Sequence, residues 1–391
     1  MKTLNNTLSG SHLAQRSRTS KLRRIGLNLA CGAMVALGLA SSASAQVEVN
    51  WEITGEFVGN GYLPKSTSDG VGVMVSTFET GTGYDQVAYN TGSYGTVWDS
   101  QTNVAGEIAH SPAIAMVIYE NSTGNLSDAV VEVHQGTQDN GGRLFSRVAY
   151  PADLYEELSP SNITWGPAAK YDDGYNSTVA IDGWTYPPTI VEVHQAGVNS
   201  SALWYHVGHL NFGSTPSISW GPSHEFDSGF NGYAPSVSVS DGLVILAAQG
   251  SGGTLWRALG VVNASAETIN WGSPAPYGTG YNPSVSLTGD FYGDNAFEGD
   301  WELVEVHQAT SGTGSLWYNT GYLNAGSGGS HPTSVNWTTP RDSEYAGSGC
   351  YPTVTQLDNG SATSFGVLET HSEDCGEKAK IVSQFGVLQT E

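Results

Sequence analysis

Residues Thr189 to Pro222 read TIVEVHQAGVNSSALWYHVGHLNFGSTPSISWGP. Ile190–Gln195 alternates apolar with polar side chains, which is the period of a strand. Ala196–Ser201 is a Gly/Asn/Ser turn, Leu203–Leu210 is a second, aromatic strand, and Ile218–Trp220 begins a third that Gly221-Pro222 closes. The phrase returns downstream as LVEVHQATSGTGSLWYNTGYLN from Leu303 and upstream as VVEVHQGTQDNGGRLFSRVAY from Val130. A phrase repeated at this scale is a structural unit.

Working outward, a Trp-bearing strand marks each unit, at Trp51, Trp98, Trp165, Trp220, Trp271 and Trp337, spaced 47 to 67 residues apart. Six units of about four strands match propeller blade lengths. No long window has helical period, so the expectation is an all-β, six-bladed β-propeller. In each unit a strand such as Ser236–Val239 would be innermost, VEVHQ second, LWY third and the Trp strand outermost. That phase leaves Val47–Ile53 without a unit of its own and Phe365–Leu388 without a fourth strand. The N-terminal strand, about 47–53, is therefore expected to complete the last blade and close the ring.

Residues 1–45 read as a secretory signal peptide and 46–391 as one propeller domain. Lys21, Arg23 and Arg24 precede an apolar run from Ile25 to Ala40, and Ala43-Ser44-Ala45 supplies a cleavage signal. Gly26, Asn28, Gly32 and Gly38 interrupt the run, which argues against a membrane span. The expected location is outside the cell or in the periplasm. Six of the 14 Lys and Arg residues lie in this leader, leaving eight against 37 Asp and Glu. So acidic a chain lacks the basic footprint of a nucleic-acid binder. Cys350 and Cys375 remain after the leader, and an even pair in an exported chain reads as a disulfide closing a loop of about 25 residues.

Four Glu–His pairs stand out: Glu132/His134, Glu192/His194, Glu305/His307 and Glu369/His371. A spacing of two on a strand puts both side chains on one face. One active site rarely needs the same pair four times, so a structural ladder is expected. The fourth unit has ILAAQ at Ile245–Gln249 instead, and the first also lacks the His.

The loops into the innermost strands differ in character. They read KYDDGYN from Lys170, EFDSGFN from Glu225 and PYGTGYN from Pro276. Each places aromatic rings beside an amide or carboxylate, a combination suited to the apolar face and hydroxyls of a sugar. The expected ligand-binding residues are Tyr171, Asp172, Tyr175, Asn176, Phe226, Asp227, Phe230, Asn231, Tyr277, Tyr281 and Asn282. No cofactor or metal ligand set is read from spacing. Asp290, Asp294, Glu298 and Asp300 could take Ca2+, but they lack EF-hand spacing and read as a solvated loop.

GxSxG, HExxH, P-loop and GxGxxG motifs are absent. VEVHQ, LWYHVGHLN, ISWGP and YDDGYN resemble a repeat of secreted bacterial proteins, and in general form they are similar to propeller lectins of the tachylectin-like and insect-pathogen-lectin types. The resemblance spans nearly all of the chain beyond the leader and implies a secreted, carbohydrate-binding protein whose partner is a glycan. A polysaccharide lyase or glycoside hydrolase is the second expectation, and a structural or adhesive exterior protein the third.

Overall fold

Each repeat folds as an antiparallel meander in which strands that are neighbours in the chain are neighbours in the sheet. The computed structural model describes residues 47–390 except 69–72, 81–85, 94–97, 99–101, 104–108, 121–125, 137–141, 152–162, 184, 213–214, 227–229, 289–300, 324–331, 338–340, 343–347, 358–363 and 377–378. The leader, Asp227 and the acidic residues Asp290, Asp294, Glu298 and Asp300 thus lie outside the described residues.

The chain enters with β1 (Val47–Asn60). The first repeat is β2 (Tyr62–Ser68), β3 (Val73–Thr80), β4 (Gln86–Ser93) and β5 (Thr102–Asn103). The second is β6 (His110–Glu120), β7 (Leu126–Gln135), β8 (Arg143–Pro151) and β9 (Ile163–Trp165), with β10 (Ala169–Asp173) also paired to β8. The third is β11 (Tyr175–Asp182), β12 (Thr189–Gln195), β13 (Leu203–Asn211) and β14 (Ser217–Trp220), with β15 (His224–Glu225) on β13. The fourth is β16 (Tyr233–Ser240), β17 (Leu243–Gln249), β18 (Thr254–Asn263) and β19 (Thr268–Trp271), with β20 (Ala275–Thr279) on β18. The fifth is β21 (Tyr281–Thr288), β22 (Trp301–Gln308), β23 (Gly314–Leu323) and β24 (Asn336–Trp337), with β25 (Arg341–Asp342) on β23. The last is β26 (Ser348–Leu357), β27 (Ser364–Ser372) and β28 (Lys380–Thr390).

The described strands are all-β and form five hydrogen-bonded sheets rather than six. Gly314 and Ser315 pair with Gly349 and Ser348, so the fifth and last repeats merge with β1 into nine strands. β1 pairs antiparallel with β28 from Val47↔Thr390 to Asn60↔Lys380, well beyond the Val47–Ile53 read from the sequence. The last repeat would otherwise expose the ladder edge of β28, and an unpaired edge invites association. Cys350 and Cys375 form a disulfide, with Cα atoms 5.3 Å apart.

The second strand of a repeat is covered on both sides. All seven residues of β12 are buried. Ile190 joins an apolar cluster with Val131 and Val133 of the second repeat, whereas Val191 and Val193 join Val244 and Leu246 of the fourth. Alternation puts Ile190, Glu192 and His194 on one face and Val191 and Val193 on the other, so each face serves a different neighbour. Each fully buried aliphatic chain contributes about 1.5–3 kcal/mol.

β2, β6, β11, β16, β21 and β26 together line a channel of about 190 Å³. Its wall is stitched between repeats. Ser236 and Ser238 accept from the backbone amides of Val285 and Leu287, each at 3.0 Å. Ser284 and Ser286 accept in the same way from Val354 and Gln356. Thr67 accepts from Met116, and Ser66 donates to Thr370. An unpaired backbone donor on a first strand is costly away from water, and a small hydroxyl at alternate positions of the adjoining strand meets that need.

Candidate functional site

The four Glu–His pairs share one geometry. Each imidazole Nδ1 lies 3.0–3.2 Å from both carboxylate oxygens two residues earlier. Glu132, Glu192, Glu305 and Glu369 are wholly buried. A buried carboxylate needs further donors, and the strand opposite supplies them. Arg147 Nε lies 2.8 Å from Glu132; Asn319 and Gln384 donate amides to Glu305 at 2.6 Å and Glu369 at 2.9 Å. Burial would push the Glu132 carboxyl up, but Arg147 and His134 outweigh it and hold it below its ordinary value. Burial lowers His194, His307 and His371, yet the charge and hydrogen bond of the paired Glu raise each of them overall.

The third repeat departs from this scheme. The residue opposite Glu192 is His206, and its ring turns to Asp172 instead. His206 Nδ1 donates to Gly221 O at 2.9 Å, and Nε2 lies 2.8 Å from Asp172 Oδ2. His194 Nε2 lies 3.7 Å from the same oxygen. One donor atom from each of Asp172, His194 and His206 thus falls within 4.8 Å of the others. Ser223 also donates to Asp172, at 2.9 Å. Burial raises Asp172, but these hydrogen bonds prevail and its pKa is lowered. Tyr171 stacks on Trp220 at 4.9 Å and meets His206 edge-on at 5.6 Å.

A second feature lies at one mouth of the channel. Leu63, Ser111, Asn176, Ala234, Asn282 and Tyr351 all have φ between 46° and 54°. Each sits in a register shift at the start of a first strand, as a bulge requires. The Gln ending the second strand accepts the amide of the next repeat's left-handed residue. Gln195 accepts from Ala234 at 3.3 Å, Gln249 from Asn282 at 3.2 Å and Gln308 from Tyr351 at 2.9 Å. In the first repeat Glu79 takes this part, accepting from Ser111. The six bulges ring a cavity of about 260 Å³. Lys65 lines both this cavity and the channel beneath, and burial lowers its pKa to about 8.

The residues expected to bind ligand divide among several places. Phe226 and Phe230 are buried in the core beside Ala248, so their rings are taken up by packing. Tyr171 is partly buried near Glu192, and Tyr277 stacks on Trp337 and donates to Glu305 at 3.0 Å. Burial, then the nearby carboxylate, pushes both phenols well above their ordinary pKa. The rings of Tyr175 and Tyr281 lie over Gly142 and Gly253 of the preceding repeats, where a Cβ would come within 2.5 and 3.1 Å. Asn176 and Asn282 edge the mouth cavity and donate to Gln195 at 2.6 Å and Gln308 at 2.5 Å.

Asn231 lies in a separate cleft of about 380 Å³ with Tyr233, Trp256, Gly250 and Pro274 over a floor of Phe230. Tyr233 is 36% exposed. Tyr233, Trp256, Lys65 and His206 were not singled out from the sequence. His206 was findable, because aligning the third strands puts Arg147, His206, Asn319 and Gln384 opposite the four Glu residues.

No family model and no curated protein matches the chain. Among solved structures it is similar to a protein of unknown function from Dyadobacter fermentans, at 12% identity and a TM-score of 0.52, over 88% of this chain and 99% of that one. It is also similar to the hemagglutinin-neuraminidase ectodomain of parainfluenza virus 5, at 7% identity and a TM-score of 0.50, over 88% of this chain and 87% of that one. These likenesses concern the fold. Among the described residues no helix is long and apolar enough to cross a membrane.

Proposed function

We propose that the protein is an exported six-bladed β-propeller that binds carbohydrate through loops at the ends of its first strands. The blade count is supported by six first strands around one channel, by a bulge at the start of each, and by a fold likeness over 88% of this chain to a viral hemagglutinin-neuraminidase ectodomain. Export is supported by the leader and by a disulfide.

The observation that carries the binding reading is the Asn231–Tyr233–Trp256 cleft. A sugar offers an apolar C–H face to an aromatic ring and hydroxyls to an amide. Tyr233 and Trp256 supply rings and Asn231 the side-chain amide. The chain's formal charge of −23 favours neutral sugars over sulfated or uronic polymers.

The test is a broad glycan array probed with residues 46–391, alongside Trp256→Ala and Tyr233→Ala. Saturable binding to a defined neutral sugar, lost in either variant, is expected. An array without binding, or binding that both variants retain, ends this reading.

A further inference from the structure

We infer that Asp172, His194 and His206 form a binding site for a late first-row divalent metal ion such as Zn2+. The hydrogen bonds around the two rings decide which nitrogens are offered. Glu192 takes the Nδ1–H of His194, and Gly221 O takes the Nδ1–H of His206. Both Nε2 atoms are therefore directed at Asp172 Oδ2, at 3.7 and 2.8 Å, the second within hydrogen-bond distance. One ligand atom from each of the three side chains lies within 4.8 Å of the others, so a single ion can take all three.

The spacing suits such an ion. Tetrahedral Zn2+ holds its N and O ligands at about 2.0–2.2 Å, which sets ligand atoms roughly 3.3 Å apart. The two distances to Asp172 bracket that value. A carboxylate and a backbone carbonyl behind the two imidazoles are the outer partners that orient metal-binding histidines. Both His side chains are almost wholly buried while Asp172 is 27% exposed. One side of the site thus opens to solvent, where water completes the coordination. Two imidazoles and one carboxylate favour Zn2+, Ni2+ or Cu2+ over Ca2+, which prefers an all-oxygen shell.

Comparison among repeats isolates the site. Where the third repeat has His206 opposite its Glu, the others have Arg147, Asn319 and Gln384, each of which serves that Glu. Only His206 is turned away to a loop carboxylate. His206→Asn places in the third repeat the residue that the fifth already carries, so the fold has a precedent for it.

Full-length mature protein stripped with EDTA is titrated with ZnCl2 by calorimetry, with CaCl2 in parallel. One saturable Zn2+ site of micromolar or tighter dissociation constant is expected, and histidine NMR should shift the His194 and His206 rings alone. His206→Asn and Asp172→Asn should each weaken binding at least about tenfold, with metal-free melting temperatures near that of the parent. No saturable Zn2+ binding overturns the inference. So does binding that survives both substitutions, since the ion then sits elsewhere on an acidic surface. A variant whose metal-free protein is unfolded is replaced by Asp172→Ser, judged by the same criteria.

Discussion

Tyr277 donates its phenolic hydrogen to Glu305 over 3.0 Å, while one repeat earlier Phe226 shares an apolar cluster with Leu246. The two pairs occupy equivalent places, a first-strand loop ring against the middle of the next second strand. Where the strand carries a buried carboxylate the ring carries a hydroxyl, and where the strand carries Leu the ring carries none. This match explains why ILAAQ replaces VEVHQ without loss of the fold. Ala248 stands where the His would be, and Phe230 packs there.

Tyr277→Phe removes one donor from a wholly buried carboxylate. The expected cost is about 1–3 kcal/mol, read from the shift in denaturant midpoint at unchanged slope. A variant as stable as the parent would show that Asn319 and His307 alone satisfy Glu305.

His194, His307 and His371 have pKa values raised in the folded protein. The stability they contribute is fully present below the unfolded value of about 6.5 and is lost as pH rises through the folded values. Glu132 acts in the opposite sense, because its folded pKa is lowered. Its contribution is present above about 4.5 and is lost as pH falls through the folded value. Stability measured against pH should therefore peak in the mildly acidic range and fall on both sides. His307→Gln should flatten the alkaline limb, which is checked by melting the two proteins at pH 6 and pH 8.5.

Lys65 is charged but desolvated, and its folded pKa is lowered to about 8. Below pH 8 the folded state bears the full penalty. As pH rises from about 8 to 10.5 the unfolded state holds the proton more tightly, and the penalty is relieved. Lys65→Met should stabilise the protein at pH 7 by about 1–3 kcal/mol, and the gain should vanish by pH 10.5. Denaturation at the two pH values checks this.

Gln308 holds two groups of the ring of bulges, accepting from Asn282 at 2.5 Å and from Tyr351 N at 2.9 Å. Gln308→Ala leaves both donors without that acceptor. A cost of about 1–3 kcal/mol is expected, with faster amide exchange at Tyr351 as the local readout. A similar cost for Gly280→Ala would have another origin, since a Cβ there falls 2.2 Å from the His307 ring.

The second-strand Gln was legible but unread. It persists in VEVHQ and in ILAAQ, and a polar residue that survives when Glu and His do not marks a separate role. Its partner could not be read, since the Tyr351 amide lies 43 residues away in the next repeat. Phe230 shows the converse. Its aromatic–Asn sequence matches Tyr175-Asn176 and Tyr281-Asn282, yet the small Ala248 behind it admits the ring to the core.

The repeat, the order of strands within it and the pairing of the first strand with the last were determined by the sequence alone. They follow from period-two alternation, turn residues and the count of strands, which are properties of the chain read locally. The tertiary structure alone decided which rings fill the core and which line a cleft, and that His206 meets Asp172 rather than Glu192. Those outcomes depend on the fit between strands of adjacent repeats, where the size of one side chain sets the room left for another, and no local pattern carries that information.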